Sequence, residues 1–527
     1  MRFRVMVAFQ KVQIDRIKKQ SFSDQIAEQF EAAIKSGTLL IGTKLPSIRD
    51  LSVQLKINKI GVITAYEKLS DHGYISPKQG SGYFVTYKVK RNYKTDIKSF
   101  NEILENKNFN TSNFDFLSEK KPNLLEKSSA LSQLQIKECL PKIIPFTNSF
   151  SEGITYLGNG EPAKALGLME DLRAISRFVL SSTHTAIFSY PSSQGLPSLR
   201  EVLAFELEQL GMPVLNASQI LISNGALHAL NIVLDTYLMP GDNIAIEVPN
   251  FAILFPILTN RRLQIIELNR NSAQLIISDE KKKEIREKKP KIIITYTNCH
   301  NPTGGILSSI ERHTLLNLAL EINAIIIELD IFKGLNFDEF LPPLLSVMDG
   351  LKKTIYISSF SKTFAPGIRL GYIAASEENI QKLILSKMTT DISTSILDQQ
   401  IIYEMIIRGI LKKHIQKVKE SYRSKRDTLI AMLKKLSPQN SQWNYPEAGL
   451  FLWFKFPEGG DLNTVYERAL EKKISIAPGH IFYPYGTKSN EMRINFATLE
   501  PVQTYSALEN VFTIWRNSSS RKWILKK

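Results

Sequence analysis

The chain has 527 residues, roughly three to four times a typical domain, so two or more cores are expected. A hydrophobic fraction of 43% with 22% charged residues fits a soluble globular chain and excludes wholesale disorder or a collagen-like repeat. Two cysteines, Cys139 and Cys299, exclude a disulfide framework and a cysteine zinc site, and no metal is expected. The opening MRFRVMVAFQKVQ lacks the apolar run of a signal peptide, and no stretch approaches 18 uninterrupted apolar residues. A cytoplasmic chain without membrane contact is the expectation.

The formal charge of +16 is unevenly placed. Residues 1–90 hold 15 Lys and Arg against 7 Asp and Glu, a net +8, so half the excess lies in about a sixth of the chain. Such asymmetry suits an anionic partner, most often nucleic acid. Within this segment Ile26, Phe30, Ala33 and Ile34 fall on one helix face, and Gly37 ends it. Ser47 is placed to cap a second helix with Leu51 and Leu55 inward; Asn58 is placed to cap a third with Val62, Tyr66 and Leu69 inward. The β-prone strings Tyr74-Ile75-Ser76 and Tyr83-Phe84-Val85 follow, joined by a turn with two glycines, Gly80 and Gly82. Three helices and a hairpin predict a winged helix-turn-helix.

The strings LPSIRDLS, AYEKLSDHGYI and GSGYFV make residues 15–86 resemble the GntR family of bacterial repressors. The resemblance implies that double-stranded operator DNA is a partner, reached by Ser47 and Arg49, by Asn58 and Lys59 at the start of the recognition helix, and by Ser81 and Gly82 at the wing tip. Arginine forks onto guanine or phosphate, whereas lysine is a point charge. Gly61 departs from the family's usual hydroxyl residue and weakens the helix. Residues 87–140, without glycine and rich in Asn, Lys and Ser, read as a linker.

From about residue 150, short apolar strands such as Ile220-Leu221-Ile222 and Ile325-Ile326-Ile327 alternate with longer helical patterns. This predicts an α/β domain with a mainly parallel sheet and its chemistry at the strand ends. Ser358-Ser359-Phe360-Ser361-Lys362, with Arg369 seven residues on, resembles the lysine segment of fold-type I pyridoxal-phosphate (PLP) enzymes, the aspartate aminotransferase superfamily. The resemblance spans nearly all of 150–515. It implies that Lys362 forms the Schiff base with PLP, that Ser359 and Arg369 hold the phosphate, and that Phe251 stacks on the ring. It also implies that Asn301, in His300-Asn301-Pro302-Thr303-Gly304, bonds the ring 3-oxygen. Asn224, Gly225 and Ala226, at a strand-to-helix turn, would present N–H groups to the phosphate. Tyr190, in the string Tyr-x-x-x-x-Gly-x-x-x-Leu-Arg, would reach the partner subunit's phosphate, which implies a homodimer. Arg493 would bind an α-carboxylate, with Gly160 lining the same pocket, and His300 is left structural.

One position departs from that pattern. An Asp normally faces the pyridine nitrogen and keeps the ring an electron sink. Aligned without a gap, this position is Leu329, and the usual tyrosine is Phe332. A one-residue shift gives the role to Asp330, the expected assignment; otherwise the sink is impaired. A winged helix, linker and aminotransferase-like domain together resemble the MocR (GabR-like) regulators. That resemblance implies a PLP-dependent transcriptional regulator whose large domain senses PLP and/or an amino compound, an amino acid or amine, via a Schiff base on Lys362. The alternatives are a working aminotransferase with a secondary DNA-binding arm, and a regulator binding another metabolite.

Overall fold

A computed structural model of the chain describes residues 14–15, 20–35, 39, 43–78, 82–86, 153–163, 168–182, 189–213, 215–271, 274–338, 341–484 and 489–524. The expected linker and Ser81 lie outside them. The chain divides into two compact units, Met1–Asn123 and Leu124–Lys527.

In the first unit, α1 (Phe22–Lys35) buries Ile26, Phe30 and Ile34, one residue per turn. Helix α2 (Ile48–Leu55) starts at Ser47, whose hydroxyl accepts the Asp50 N–H at 3.1 Å and donates to the Asp50 carboxylate at 2.7 Å. It stops at Lys56 in the left-handed region (φ 53). Asn58 then caps α3 (Lys59–Asp71) by accepting the Ile60 N–H at 3.2 Å. The cap and the buried Val62, Ala65, Tyr66 and Leu69 maintain this helix despite Gly61. The Tyr66 hydroxyl donates to the Pro46 carbonyl at 3.0 Å and ties α3 to the entry of α2. Strands β1 (Ile75–Lys78) and β2 (Gly82–Val85) form an antiparallel hairpin. Pairing extends to Lys78 and Gly82, further into the connection than the β-prone strings predict. Lys44 bridges Phe84 on the hairpin's other edge.

The second unit is built on eight strands: β4 (Ile220–Ser223), β5 (Asn243–Val248), β6 (Gln264–Asn271), β7 (Gln274–Leu275), β8 (Ile292–Thr295), β9 (Ile325–Asp330), β10 (Thr354–Ser359) and β11 (Gly371–Ala374). They lie in the order β4-β11-β10-β9-β8-β5-β6-β7. Strands β10, β9, β8, β5 and β6 are parallel neighbours, while β11 runs antiparallel between β10 and β4. The isoleucine runs of β8 and β9 are almost wholly buried, as a sheet covered on both faces requires. Further along, β12 (Gln442–Trp443), β13 (Phe451–Lys455), β15 (Ala477–Pro478) and β16 (Glu491–Asn495) make a second, antiparallel sheet. Strand β14 (Ile474–Ser475) pairs with β3 (Thr155–Tyr156), which leads into the loop Gly158–Gly160. The Asn495 side chain donates to the Asn159 and Glu161 carbonyls at 3.0 and 2.8 Å, fixing that loop against β16.

Candidate cofactor site

The C-terminal ends of the central strands and the loop Gly158–Gly160 enclose a cavity of about 360 Å³. Crevices at this end of a parallel sheet are where α/β folds bind ligands. Lys362, just after β10, lines it and donates to the Gly160 carbonyl at 2.6 Å. Burial, with the Arg493 and Arg369 guanidiniums nearby, lowers its amine to about 8; Glu161 opposes the shift. Ser359, Ser361, Arg369, Ala226, Phe251, Asn301 and Arg493 line the same space. Arg369 holds a left-handed backbone (φ 48) and reaches the Ser361 hydroxyl and the Asn224 carbonyl, each at 3.4 Å. A backbone outlier of this kind, held by its surroundings, is typical of ligand sites. Helix Ala226–Tyr237 starts at Gly225 (φ 84) without a side-chain cap, so its N-terminus is open to an anion. A Cβ on Gly225 would lie 2.9 Å from Arg369.

Arg493 is buried between the Phe451 and Phe482 rings and donates to the Gly158 carbonyl at 2.8 Å and Asn301 Oδ1 at 2.9 Å. Burial lowers its guanidinium to about 9, and no carboxylate among the described residues pairs with it. Gly160 stands beside it: a Cβ there would be 3.7 Å from its Nη2. His300 is wholly buried, with Nδ1 2.9 Å from the Thr303 hydroxyl, and burial holds its pKa well below the usual imidazole range. Tyr190 is 87% exposed and lies outside this cavity.

One expectation is corrected. Asp330 does not face the cavity. Successive residues of a strand point to opposite faces, and Leu329, 3% exposed, takes the cavity side with Ile331. Asp330 lies on the other face, where the Tyr356 hydroxyl donates to its carboxylate at 2.8 Å, and burial pushes it up to about 6. It lines a separate, larger cavity with Lys333 and Tyr372. The turn before helix Ala226–Tyr237 carries its own hydrogen bonds. The Asn224 N–H donates to His228 Nδ1 at 3.1 Å and the Gly225 N–H to the Ser223 carbonyl at 2.9 Å, which leaves Ala226 as the lining residue of the three. The Asn224 side chain is held by Asp391 at 2.6 Å. Phe332 packs edge-on against Phe451 at 5.8 Å in the neighbouring core.

Sequence reasoning missed Tyr296, Ser361, Ile331, Ile481 and Phe482 as lining residues. Ser361 was within reach, since it precedes Lys362 and repeats the hydroxyl of Ser359. Tyr296, just past β8, and the segment Ile481–Phe482 come to the cavity only through the sheet order and the β16 pairing.

In the first unit, Arg49 and Lys59 are exposed at the starts of α2 and α3 without an acidic partner among the described residues. Asn58 and Gly82 (φ 99) are exposed as well. The Ser47 hydroxyl is engaged in capping.

These features define a winged helix-turn-helix joined to a fold-type I α/β unit with a lysine-centred cavity. The chain belongs to the aminotransferase class I and II family, whose description matches residues 153–511. Residues 22–85 match the bacterial regulatory proteins of the gntR family. The uncharacterized HTH-type transcriptional regulator YdfD of Bacillus subtilis is 28% identical over 501 residues, 94% of this chain and 95% of that protein. Aromatic-amino-acid aminotransferase 1 of Thermococcus litoralis is 29% identical over 376 residues, 70% of this chain and 88% of that one. The crystal structure of a multiple substrate aminotransferase from Thermococcus profundus has a TM-score of 0.68 and 27% identity, covering 76% of this chain and 98% of its own. No described helix is long and apolar enough to cross a membrane.

The family implies pyridoxal 5′-phosphate, and the residues present fit it. A lowered lysine, an open helix N-terminus beside Arg369, and the aromatic face of Phe251 suit an aldehyde, a phosphate and a ring respectively.

Proposed function

We propose that the chain is a homodimeric, PLP-dependent transcriptional regulator in which residues 15–86 bind operator DNA, 87–140 link, and 150–515 sense the cofactor together with an amino compound. The cofactor, when bound, supplies an aldehyde that condenses with amines and a ring that can delocalise charge. Lys362 offers the amine, which is half neutral near pH 8. Arg369, Ser359 and Ser361 orient the phosphate, Phe251 fixes the ring plane, and Asn301 holds a hydrogen bond at the ring oxygen. Arg493 receives a carboxylate. The exposure of Tyr190, outside its own cavity, suits a residue given to the partner's site.

The observation that carries sensing over turnover is Leu329. The cavity keeps three cations, Lys362, Arg369 and Arg493, while its described lining holds no Asp or Glu. With Leu329 on the cavity side and no Asp or Glu in the described lining, the site would offer the ring of a bound cofactor no acid, and charge on a substrate carbon would be poorly stabilised. Binding and amine capture survive this change; rapid transamination does not.

Leu329→Asp tests it. Single-turnover absorbance with an amino acid is expected to be at least tenfold faster in Leu329→Asp than in the natural chain, with PLP loading retained in both. A natural chain that already turns over rapidly would favour the aminotransferase reading, and a loaded Leu329→Asp with an unchanged slow rate would overturn the role given to Leu329.

A further inference from the structure

The turn that would receive the cofactor's phosphate is held from behind, by side chains that do not line the cavity. We infer that His228 is a positioning residue for this turn: its imidazole fixes the backbone of Asn224, and through it the helix N-terminus and Arg369 that would meet the phosphate. This role deepens the cofactor reading of the Lys362 site and rests on it.

Asn224 is held at three points. Its N–H donates to His228 Nδ1 at 3.1 Å, its side chain donates to Asp391 Oδ2 at 2.6 Å, and its carbonyl accepts from Arg369 Nη2 at 3.4 Å. His228 is the third residue of helix Ala226–Tyr237. Its side chain therefore reaches back over the first turn, as a Glu at that position does in a capping box. Gly225 supplies no side-chain cap of its own. Without the imidazole the Asn224 N–H would lose its acceptor on a half-buried turn, and a donor left unmade is costly.

The imidazole is itself locked. Nδ1 accepts only when it carries no proton, which puts the ring proton on Nε2, 3.2 Å from the Thr390 hydroxyl. Burial lowers the ring's pKa and favours this neutral form; Asp391 opposes the shift and Lys387 adds to it. Asp391 lies behind the ring, with Oδ2 3.6 Å from Nδ1 and Oδ1 accepting from the Lys387 ammonium at 2.6 Å. Lys387 is wholly buried near the end of helix Glu377–Met388. The residue after Asp391, Ile392, takes a left-handed backbone (φ 60). A β-branched residue keeps that conformation only where its surroundings over-determine it.

Two stretches of chain, 224–228 and 387–392, are thus clamped together, and the clamp ends on a guanidinium that lines the cavity. A shift of Asn224 moves the helix N-terminus and Arg369 as one unit. Phe251 and Lys362 follow other strands, β5 and β10, so a ligand that uses only the ring and aldehyde positions is indifferent to His228.

The test compares PLP with pyridoxal, which has the same ring and aldehyde but no phosphate, by titrating the Lys362-dependent absorbance band of the full chain. His228→Ala removes the acceptor and substitutes a strong helix former; His228→Asn returns an acceptor, Oδ1, near the place of Nδ1. His228→Ala is expected to weaken PLP binding about tenfold or more and pyridoxal binding less than about threefold. In His228→Asn most of the PLP affinity is expected to return. Unchanged PLP affinity in His228→Ala, an equal loss for PLP and pyridoxal, or a His228→Asn chain as weak as the alanine variant would overturn the positioning role while leaving the cofactor site standing. A natural chain that gains no Lys362-dependent band with PLP would overturn the cofactor reading, and this role with it.

Discussion

Lys362 sits at the meeting point of burial and positive charge, and both act in the same direction. Desolvation disfavours its ammonium form, and Arg493 and Arg369 add like-charge repulsion, bringing the amine to about 8. The neutral form attacks an aldehyde. Below pH 8 its fraction falls about tenfold per pH unit, so PLP loading should accelerate with pH and level off above about 8. Replacing Arg493 with Gln removes one of the lowering influences, so the Lys362 pKa rises and the rate profile moves to higher pH. Stopped-flow absorbance between pH 6 and 10 would detect this; a flat profile, or a move to lower pH, would contradict the assignment.

Residue types at fixed offsets were legible in the sequence because the chemistry demands them: Lys362 with Arg369, Asn301 in its turn, Arg493 near the end. Orientation was less legible. Leu329 and Asp330 are adjacent, and only the register of β9 against β10, with Ile357 opposite Leu329 and Ser358 opposite Asp330, decides which one faces the cofactor. A one-residue slip exchanges the two faces. An acid was attractive at the nitrogen position, yet its own hydrogen bond from Tyr356 secures it on the other side.

At the scale of elements, the site depends on how strands hand over to helices. Strand β4 ends at Ser223, and Gly225 makes the turn into helix Ala226–Tyr237 with φ 84, a conformation that disfavours a Cβ. Arg369 crosses that turn closely enough that an alanine at 225 would meet its guanidinium. Gly225→Ala, at φ 84 and ψ 170, is therefore expected to cost about 1–3 kcal/mol of stability from the backbone alone and to weaken PLP binding by displacing Arg369. Thermal melts with and without PLP would separate the two effects. Unchanged stability and unchanged PLP affinity would contradict this reading of the turn. The helices of the first unit were readable because Ser47 and Asn58 are strong caps set before apolar stripes. The hairpin's extra pairing at Pro77 and Lys78 was not, since proline and lysine carry little strand preference and the pairing arises from β2 opposite them.

For the whole molecule, the uneven charge of the sequence acquires a physical division. The basic first 90 residues hold a winged helix with Arg49 and Lys59 exposed at the starts of two helices, suited to phosphate and base contacts. The larger unit concentrates three cations in one cavity whose expected anions are a cofactor phosphate and a carboxylate. A ligand there changes DNA affinity only if it binds two states of the chain unequally, and such couplings are typically about 5- to 150-fold. The most direct measurement is the affinity of the full chain for duplex DNA from upstream of its own coding sequence, at fixed salt, with and without PLP, beside Lys362→Ala. A change of about fivefold or more on adding PLP is expected, lost in Lys362→Ala. Equal affinities with and without PLP, or a change that persists in Lys362→Ala, would contradict it.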